Sequence, residues 1–134
     1  EAQPVMMRLQ SDLVQHCLAA LNQTLDGEQA QWDDRPAVGV VLAAGGYPGS
    51  YAKGLPISGL DQPLESHQKI FHAGTAEKDG SVVTNGGRVL CATALGGTVS
   101  EAQAEAYKVL RKLHWDEIYF RNDIAYRAIA RENG

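Results

Sequence analysis

Apolar positions recur at helical spacing in the first 25 residues of the chain. They are Leu13, Cys17, Leu18, Leu21 and Leu25, which share one face of a helix. Ser11 can cap this helix, and Asp12 suits its positive N-terminal end. Residues 26–36 are polar and charged, Asp26-Gly27 is a stop signal, and Pro36 cannot continue a helix. We therefore predict one helix with an apolar face, followed by a connector.

Two continuous apolar runs predict buried strands, over residues 37–44 and 88–95, and each is closed by a Gly-Gly pair. The second run is expected at the centre of the sheet. Shorter strands are predicted over residues 69–73 and 81–84, where they flank a polar turn at 77–80. Asp79-Gly80 is a hairpin signal, so these two strands are expected to pair. Residues 50–68 are interrupted by Gly and Pro, which indicates irregular chain with one short strand near Ile57.

The best-defined helix follows residue 98. Ser100 and Gln103 match a capping box, and the helix is expected to end near His114. Its apolar face comprises Ala102, Ala106, Val109, Leu110 and Leu113. A short strand over 118–120 and a helix over 123–131 complete the chain. The short links leave no room for parallel crossovers, so the fold class is α+β, a mainly antiparallel sheet with flanking helices.

Length, composition and charge narrow the class of protein. A chain of 134 residues with 44% apolar and 21% charged residues fits one globular domain. Its 12 basic and 16 acidic residues give a net charge of −4, and the basic residues form no stripe, so a nucleic-acid partner is not expected. Neither an apolar run of about 18 residues nor an export signal is present, so we expect no membrane association and a cytoplasmic location.

Since the chain opens at Glu1 without Met, it is expected to start inside a longer protein.

The cysteines and histidines show no catalytic or metal-binding pattern. Cys17 and Cys91 are predicted to be reduced, buried thiols because each lies on an apolar face. The four histidines lie on different elements without the spacing of metal ligands, so no metal site is predicted in this chain. They are His16, His67, His72 and His114.

Two glycine-rich loops are candidate binding elements. Asn85-Gly86-Gly87 precedes Arg88, and backbone N–H groups beside a guanidinium suit a phosphate or carboxylate. The alternative is a tight turn followed by an arginine in a structural salt bridge. Residues 45–49 (GGYPG) follow a buried strand, and Tyr47 could stack on a ligand there. A rigid turn with an exposed tyrosine is the alternative.

Several blocks, in order, resemble the C-terminal part of the glycinamide ribonucleotide synthetase family. They are residues 39–49 (GVVLAAGGYPG), 71–75 (FHAGT) and 84–96 (TNGGRVLCATALG), with further similarity at 8–13, 102–107 and 121–124. Residues 1–4 (EAQP) resemble the tail of the family signature Arg-Phe-Gly-Asp-Pro-Glu-x-Gln. The resemblance implies that residues 1–35 are the tail of an ATP-grasp domain with a connecting helix. Residues 36–134 would be the C-terminal domain of that synthetase.

The resemblance also implies an activity for the full-length protein. Members of the family are ATP-grasp ligases of purine biosynthesis that join phosphoribosylamine to glycine through a glycyl phosphate. The products are glycinamide ribonucleotide, ADP and phosphate. ATP and Mg²⁺ (or Mn²⁺) would be held by segments absent here, so the chain is expected to be inert alone, with no catalytic residue or metal ligand of its own. Its partner would be the remainder of its own polypeptide.

In related ATP-grasp ligases an arginine at the start of the corresponding strand contacts the sugar phosphate. This similarity makes Arg88 the candidate phosphate contact, with Asn85, Gly86 and Gly87 beside it and Tyr47 as a weaker candidate. Two other interpretations stay open. The chain could be a free-standing ligand-binding or interaction module, or a purely structural lid.

Overall fold

The computed structural model describes residues 1–132 and 134. The helices are α1 (Ala2–Arg8), α2 (Leu13–Leu21), α3 (Val99–Leu110) and α4 (Tyr126–Glu132), and a 3₁₀ turn spans Leu25–Gly27. The strands are β1 (Ala37–Ala43), β2 (Gln68–His72), β3 (Thr75–Lys78), β4 (Ser81–Thr84) and β5 (Arg88–Leu95). The strand pairs among the described residues are all antiparallel, which confirms the predicted α+β class. No helix among the described residues is long and apolar enough to cross a membrane.

The larger sheet has the order β1-β5-β2, so β5 is its central strand as predicted. One face of this sheet packs on α3. Val40 of β1 pairs with Ala92 of β5, Leu42 pairs with Leu90, and all four side chains are fully buried. They pack with Ala106 and Leu110 of α3 and with Trp115. Full burial of each large aliphatic side chain stabilises the fold by about 1.5–3 kcal/mol. The other face of the sheet carries α1, whose Pro4 lies over Gly39.

The hairpin predicted between residues 69–73 and 81–84 is wrong in its first strand. The hairpin joins β3 to β4 across Asp79-Gly80, both with positive φ, whereas β2 pairs with β5. In the larger sheet the partly buried side chain of Ile70 packs against the core, and this burial favours the pairing of β2 with β5. The strand predicted near Ile57 is reduced to isolated bridges at Pro56 and Ser58, within otherwise irregular chain.

The predicted capping box of α3 is also wrong by two residues. Thr98 is the N-cap, and its hydroxyl oxygen accepts a hydrogen bond from the N–H of Glu101 (3.1 Å). The Glu101 carboxylate accepts one from the N–H of Gly97 (2.9 Å). The helix ends at Leu110, before the expected end near His114. Its predicted apolar face is buried as expected.

The N-terminal part contains two short helices, and Asp12 rather than Ser11 caps the second. The N–H of Val14 donates to the Asp12 carboxylate (2.8 Å), while the Ser11 hydroxyl bonds His16 Nε2 (2.7 Å). The apolar face of α2 is left uncovered, and Leu21 is 80% exposed. Cys17 lies on this exposed helix, so its predicted burial is wrong. Cys91 is buried as predicted.

The end of the chain is less regular than its pattern indicates. The strand predicted over 118–120 is a single bridge between Tyr119 and Ala43. The last helix begins at Tyr126, later than the predicted residue 123. Residues 121–125 instead form a loop that packs against α3.

Candidate functional site

A β-bulge in the central strand sets the direction of Arg88. Leu42 pairs with Leu90, but the next residue of β1, Ala43, pairs with Arg88, so Val89 is an extra residue in β5. Val89 and Leu90 are both fully buried, as expected where two successive residues turn toward the core. In a regular strand, side chains alternate between the two faces, so Arg88 would lie on the same face as Leu90, toward α3. The bulge places it on the opposite face, beside Ala43, and bulges commonly re-aim side chains next to functional sites.

Arg88 has no structural partner in residues 1–132 and 134. Its exposed guanidinium forms neither a salt bridge nor a side-chain hydrogen bond with any of them. Within this part of the chain, the structural salt bridge considered as the alternative role is therefore not formed. A guanidinium at a strand end with its donors unused can bind an anion.

The Asn85-Gly86-Gly87 turn is held by the neighbouring backbone. The Asn85 N–H donates to the carbonyl of Gly74 (2.8 Å), and the Ala44 N–H donates to the carbonyl of Gly87 (2.8 Å). A Cβ on Gly86 would lie 3.1 Å from the Cα of Gly74, so two backbones pass closely here. The turn is thus fixed on both sides immediately before Arg88.

Tyr47 joins the same site through Gly87. A Cβ on Gly87 would lie only 2.0 Å from Tyr47 Cδ2, so the ring rests against the glycine backbone. The ring also meets Tyr51 edge-on at 6.2 Å between centroids. Tyr47 is 40% exposed, follows the buried end of β1, and precedes a cis peptide bond to Pro48. Two sequence candidates, Tyr47 and Arg88, therefore lie in one place.

A cavity of about 230 Å³ lies beside these residues, and we call it the aromatic cavity. It lies on the sheet face opposite α3. Its walls come from β1, the loop after β1, the start of β5 and the segment 119–124. The lining residues include Val41, Ala43, Tyr47, Arg88, Tyr119, Phe120, Arg121 and Ile124. Sequence reasoning did not single out Tyr119, Phe120 or Arg121 as site residues. Only the similarity of residues 121–124 to a family block pointed to that segment.

A second cavity, of about 250 Å³, is also lined by Arg88. It is also lined by Glu1, Ala2 and Gln3 at the start of α1, by Ala73 just after β2 and by Cys91 of β5. Burial raises the pKa of the Cys91 thiol, so this sulfur is a poor nucleophile. Arg88 thus lines both this cavity and the aromatic cavity.

The described residues do not offer a metal site. Among residues 1–132 and 134, no three His, Cys, Asp or Glu side chains cluster in a way that could hold a metal ion. Three histidines have local partners instead: His16 bonds Ser11, His67 bonds Glu105 (3.2 Å) and His72 bonds Thr75 (2.9 Å).

These features belong to an α+β domain in which Arg88 has no protein partner among residues 1–132 and 134 and is turned by a β-bulge toward a small cavity beside a glycine turn. The sequence model of the family described as "Phosphoribosylglycinamide synthetase, C domain" matches residues 37–127. The chain belongs to this family.

Curated relatives and a solved structure agree with this assignment. The chain is 60% identical over 134 residues to a phosphoribosylamine–glycine ligase of Pseudomonas putida, and 59% identical over 132 residues to one of Vibrio vulnificus. These alignments cover 100% and 98% of this chain, and 31% of each relative. The crystal structure of phosphoribosylamine–glycine ligase from Thermotoga maritima matches 81% of this chain and 27% of its own, with 39% identity and a TM-score of 0.63. The chain therefore spans about a third of the length of these ligases.

Proposed function

We propose that this chain forms one wall of the active-site cleft of a phosphoribosylamine–glycine ligase. The reaction joins phosphoribosylamine and glycine with hydrolysis of ATP, and yields glycinamide ribonucleotide, ADP and phosphate for purine biosynthesis. The observation that supports this role is the position of Arg88. A β-bulge directs this arginine toward a cavity, and its guanidinium has no partner among the described residues.

Arg88 is proposed to bind the phosphate of phosphoribosylamine. A guanidinium offers a planar fork of donors that matches phosphate oxygens. The adjoining Asn85-Gly86-Gly87 turn fixes where the strand begins, and Tyr47 closes one side of the cavity. The aromatic cavity, at about 230 Å³, is smaller than the roughly 300–1,000 Å³ of sites for drug-sized ligands. A single sugar phosphate is the size of ligand that suits it.

A protein wall would serve the chemistry in two ways. An acyl phosphate is lost to water unless the cleft excludes solvent. The attacking amine must also be held in line with the acyl carbon, and a fixed phosphate at the other end of the same molecule orients it. Arg88 would orient the amine by holding the phosphate. We assign no proton transfer or covalent step to this chain.

ATP and Mg²⁺ (or Mn²⁺) are proposed to bind to the remainder of the polypeptide, because the described residues gather no set of metal ligands. The uncovered apolar face of α2 supports such a neighbour. Val14 is 62% exposed, and Leu13 and Leu18 are each 47% exposed. Apolar faces of this kind usually pack against another protein surface. Two further points stay predictions. One is the division at residues 35/36 between the tail of an ATP-grasp domain and a C-terminal domain, and the other is a cytoplasmic location.

A chimeric ligase tests the proposal. The matching part of the Pseudomonas putida relative is replaced by this chain, and steady-state kinetics are measured for all three substrates. Removal of a charged hydrogen-bonded contact costs about 1.5–3 kcal/mol, so Arg88→Ala should raise the KM for phosphoribosylamine roughly tenfold to a hundredfold. The constants for ATP and glycine should change much less. Arg88→Lys should recover part of the loss, because it keeps the charge without the fork.

The same experiment separates the two other interpretations. A purely structural lid predicts that Arg88→Ala lowers the melting temperature and impairs all three substrates together. A free-standing binding module predicts that the chimeric ligase folds but is inactive. An unchanged KM for phosphoribosylamine in Arg88→Ala would end the assignment of Arg88.

A further inference from the structure

Arg121 lines the aromatic cavity together with Arg88. Its segment is fixed to the sheet by Tyr119, whose backbone N–H and carbonyl both bond Ala43 (2.9 and 2.8 Å). Ala43 also pairs with Arg88 on its other side, so one residue of β1 separates the two segments. Arg121 lies two positions after Tyr119, which places it on the same face in extended chain. Both arginines line the one cavity.

The loop that carries Arg121 is held by side chains of α3. The largely buried Tyr107 hydroxyl donates to the Arg121 carbonyl (2.6 Å) and accepts from the Ile124 N–H (3.2 Å). Gln103 Nε2 donates to the Ile124 carbonyl (2.6 Å). Three hydrogen bonds from one helix therefore anchor four residues of loop, and such anchoring reduces the entropy lost when a ligand binds.

Asp123 fixes the guanidinium itself. Arg121 Nε and Nη2 donate to the two carboxylate oxygens of Asp123, at 2.9 and 2.7 Å. A guanidinium has five N–H donors, so this pair occupies two of them. The other three have no partner among residues 1–132 and 134. The Arg121 side chain is 60% exposed, so these donors can reach a ligand.

We infer that Arg121 is a second anion-binding residue of the aromatic cavity and that it holds the same phosphate group as Arg88. The inference rests on the proposed function, since it assigns a further contact to the proposed phosphate site. Two arginines on one cavity of about 230 Å³ suit the dianionic phosphate of a sugar phosphate, whose oxygens can accept from both forks. Asp123 offsets part of the positive charge and holds the Arg121 guanidinium through two hydrogen bonds.

The chimeric ligase carries the test. Arg121→Met should raise the KM for phosphoribosylamine about tenfold to a hundredfold, with the constants for ATP and glycine changed much less. Arg121→Lys should recover part of the loss. If one phosphate contacts both residues, Arg88→Ala combined with Arg121→Met should cost clearly less than the product of the two single effects.

Arg35 provides a matched control. It bonds Asp33 through Nε and Nη2 at 2.9 and 2.7 Å, as Arg121 bonds Asp123, although the acid here lies two residues before the arginine and not two after it. Arg35 does not line the aromatic cavity. Arg35→Met should leave the KM for phosphoribosylamine unchanged while removing an equivalent ion pair. An equal rise in KM for Arg35→Met would show a general loss of structure and would overturn the inference.

The two proposals fail separately. If Arg88→Ala raises the KM and Arg121→Met does not, the second contact is wrong and the proposed function stands. If the double variant shows the full product of the single effects, the residues bind different groups and the shared phosphate is wrong. If neither substitution affects the KM for phosphoribosylamine, the proposed phosphate site falls together with the inference.

Discussion

The ring of Tyr47 rests on the backbone of Gly87, and this contact joins the loop after β1 to the turn before Arg88. Gly87 does not have a positive φ, so its need for glycine is steric rather than conformational. A methyl group there would occupy the space of the aromatic ring.

Gly87→Ala should therefore destabilise the chain by about 1–3 kcal/mol, because the ring of Tyr47 must leave its position. Urea unfolding measures the change. Tyr47→Ala removes the obstacle, so adding Gly87→Ala to that variant should have little further effect. An equal loss in both backgrounds would mean that another contact explains the glycine.

The two cysteines should differ in reactivity. A thiol reagent is expected to label Cys17 rapidly, because α2 exposes it, and to label Cys91 only after denaturant is added. Cys91 is 3% exposed, and burial raises its thiol pKa, so little thiolate is available at neutral pH. Counting labelled thiols by mass spectrometry checks this, and rapid labelling of both would contradict the buried position of β5.

Cys17 also reports on what covers α2. In the chimeric ligase its labelling should be slower than in the chain alone, since the proposed neighbour would pack on the apolar face that includes Leu18 and Leu21. Equal rates in the two proteins would argue against that packing.

Glu105 predicts a dependence of stability on pH. Hydrogen bonds from Lys108, His67 and Gln68 lower its pKa to about 2, with Lys108 the largest cause. Because the folded pKa lies below the unfolded one, the carboxylate stabilises the fold above about pH 4.5, and this contribution is lost as pH falls toward 2.

Urea midpoints of the native chain and of Glu105→Gln should therefore differ most near neutral pH and converge in acid. The difference should be about 1 kcal/mol or less, because the group is partly exposed. Asp33→Asn is a positive comparison, because Arg35 lowers the pKa of Asp33 and the gap between native and Asp33→Asn should also close in acid. A gap between native and Glu105→Gln that stays constant with pH would contradict the assigned cause.

The chain alone should not bind ATP tightly, as the proposed nucleotide site lies in the rest of the polypeptide. Calorimetry with ATP and Mg²⁺ measures this. A dissociation constant near micromolar corresponds to about 8 kcal/mol, and a result in that range would place the nucleotide site in this chain.

The sequence predicted the buried strands and α3 because continuous apolar runs and a helical apolar face are local patterns. It could not predict that β2 would join β5, since strand partners are chosen by long-range packing of residues such as Ile70. The capping error at Ser100 arose because Thr98 satisfies the same local pattern two residues earlier.

The candidate site was predictable in its residue types but not in its geometry. Arg88 and the glycine turn stand out in the sequence, whereas the bulge at Val89 depends on how β1 and β5 align. Arg121 could not be connected to Arg88 from the sequence, because a single bridge between Tyr119 and Ala43 brings them together.

The central position of β5 also has a consequence for folding. Both of its partners precede it in the chain, and β1 is separated from it by residues 44–87. During synthesis β1 and β2 leave the ribosome before β5, the strand that lies between them in the sheet. The larger sheet can therefore form only after β5 has emerged. Sheets that depend on such distant pairings fold slowly. Until β5 pairs with it, the apolar run of β1 has no strand partner. Substitutions that slow the pairing of β5 should therefore increase aggregation of the chain.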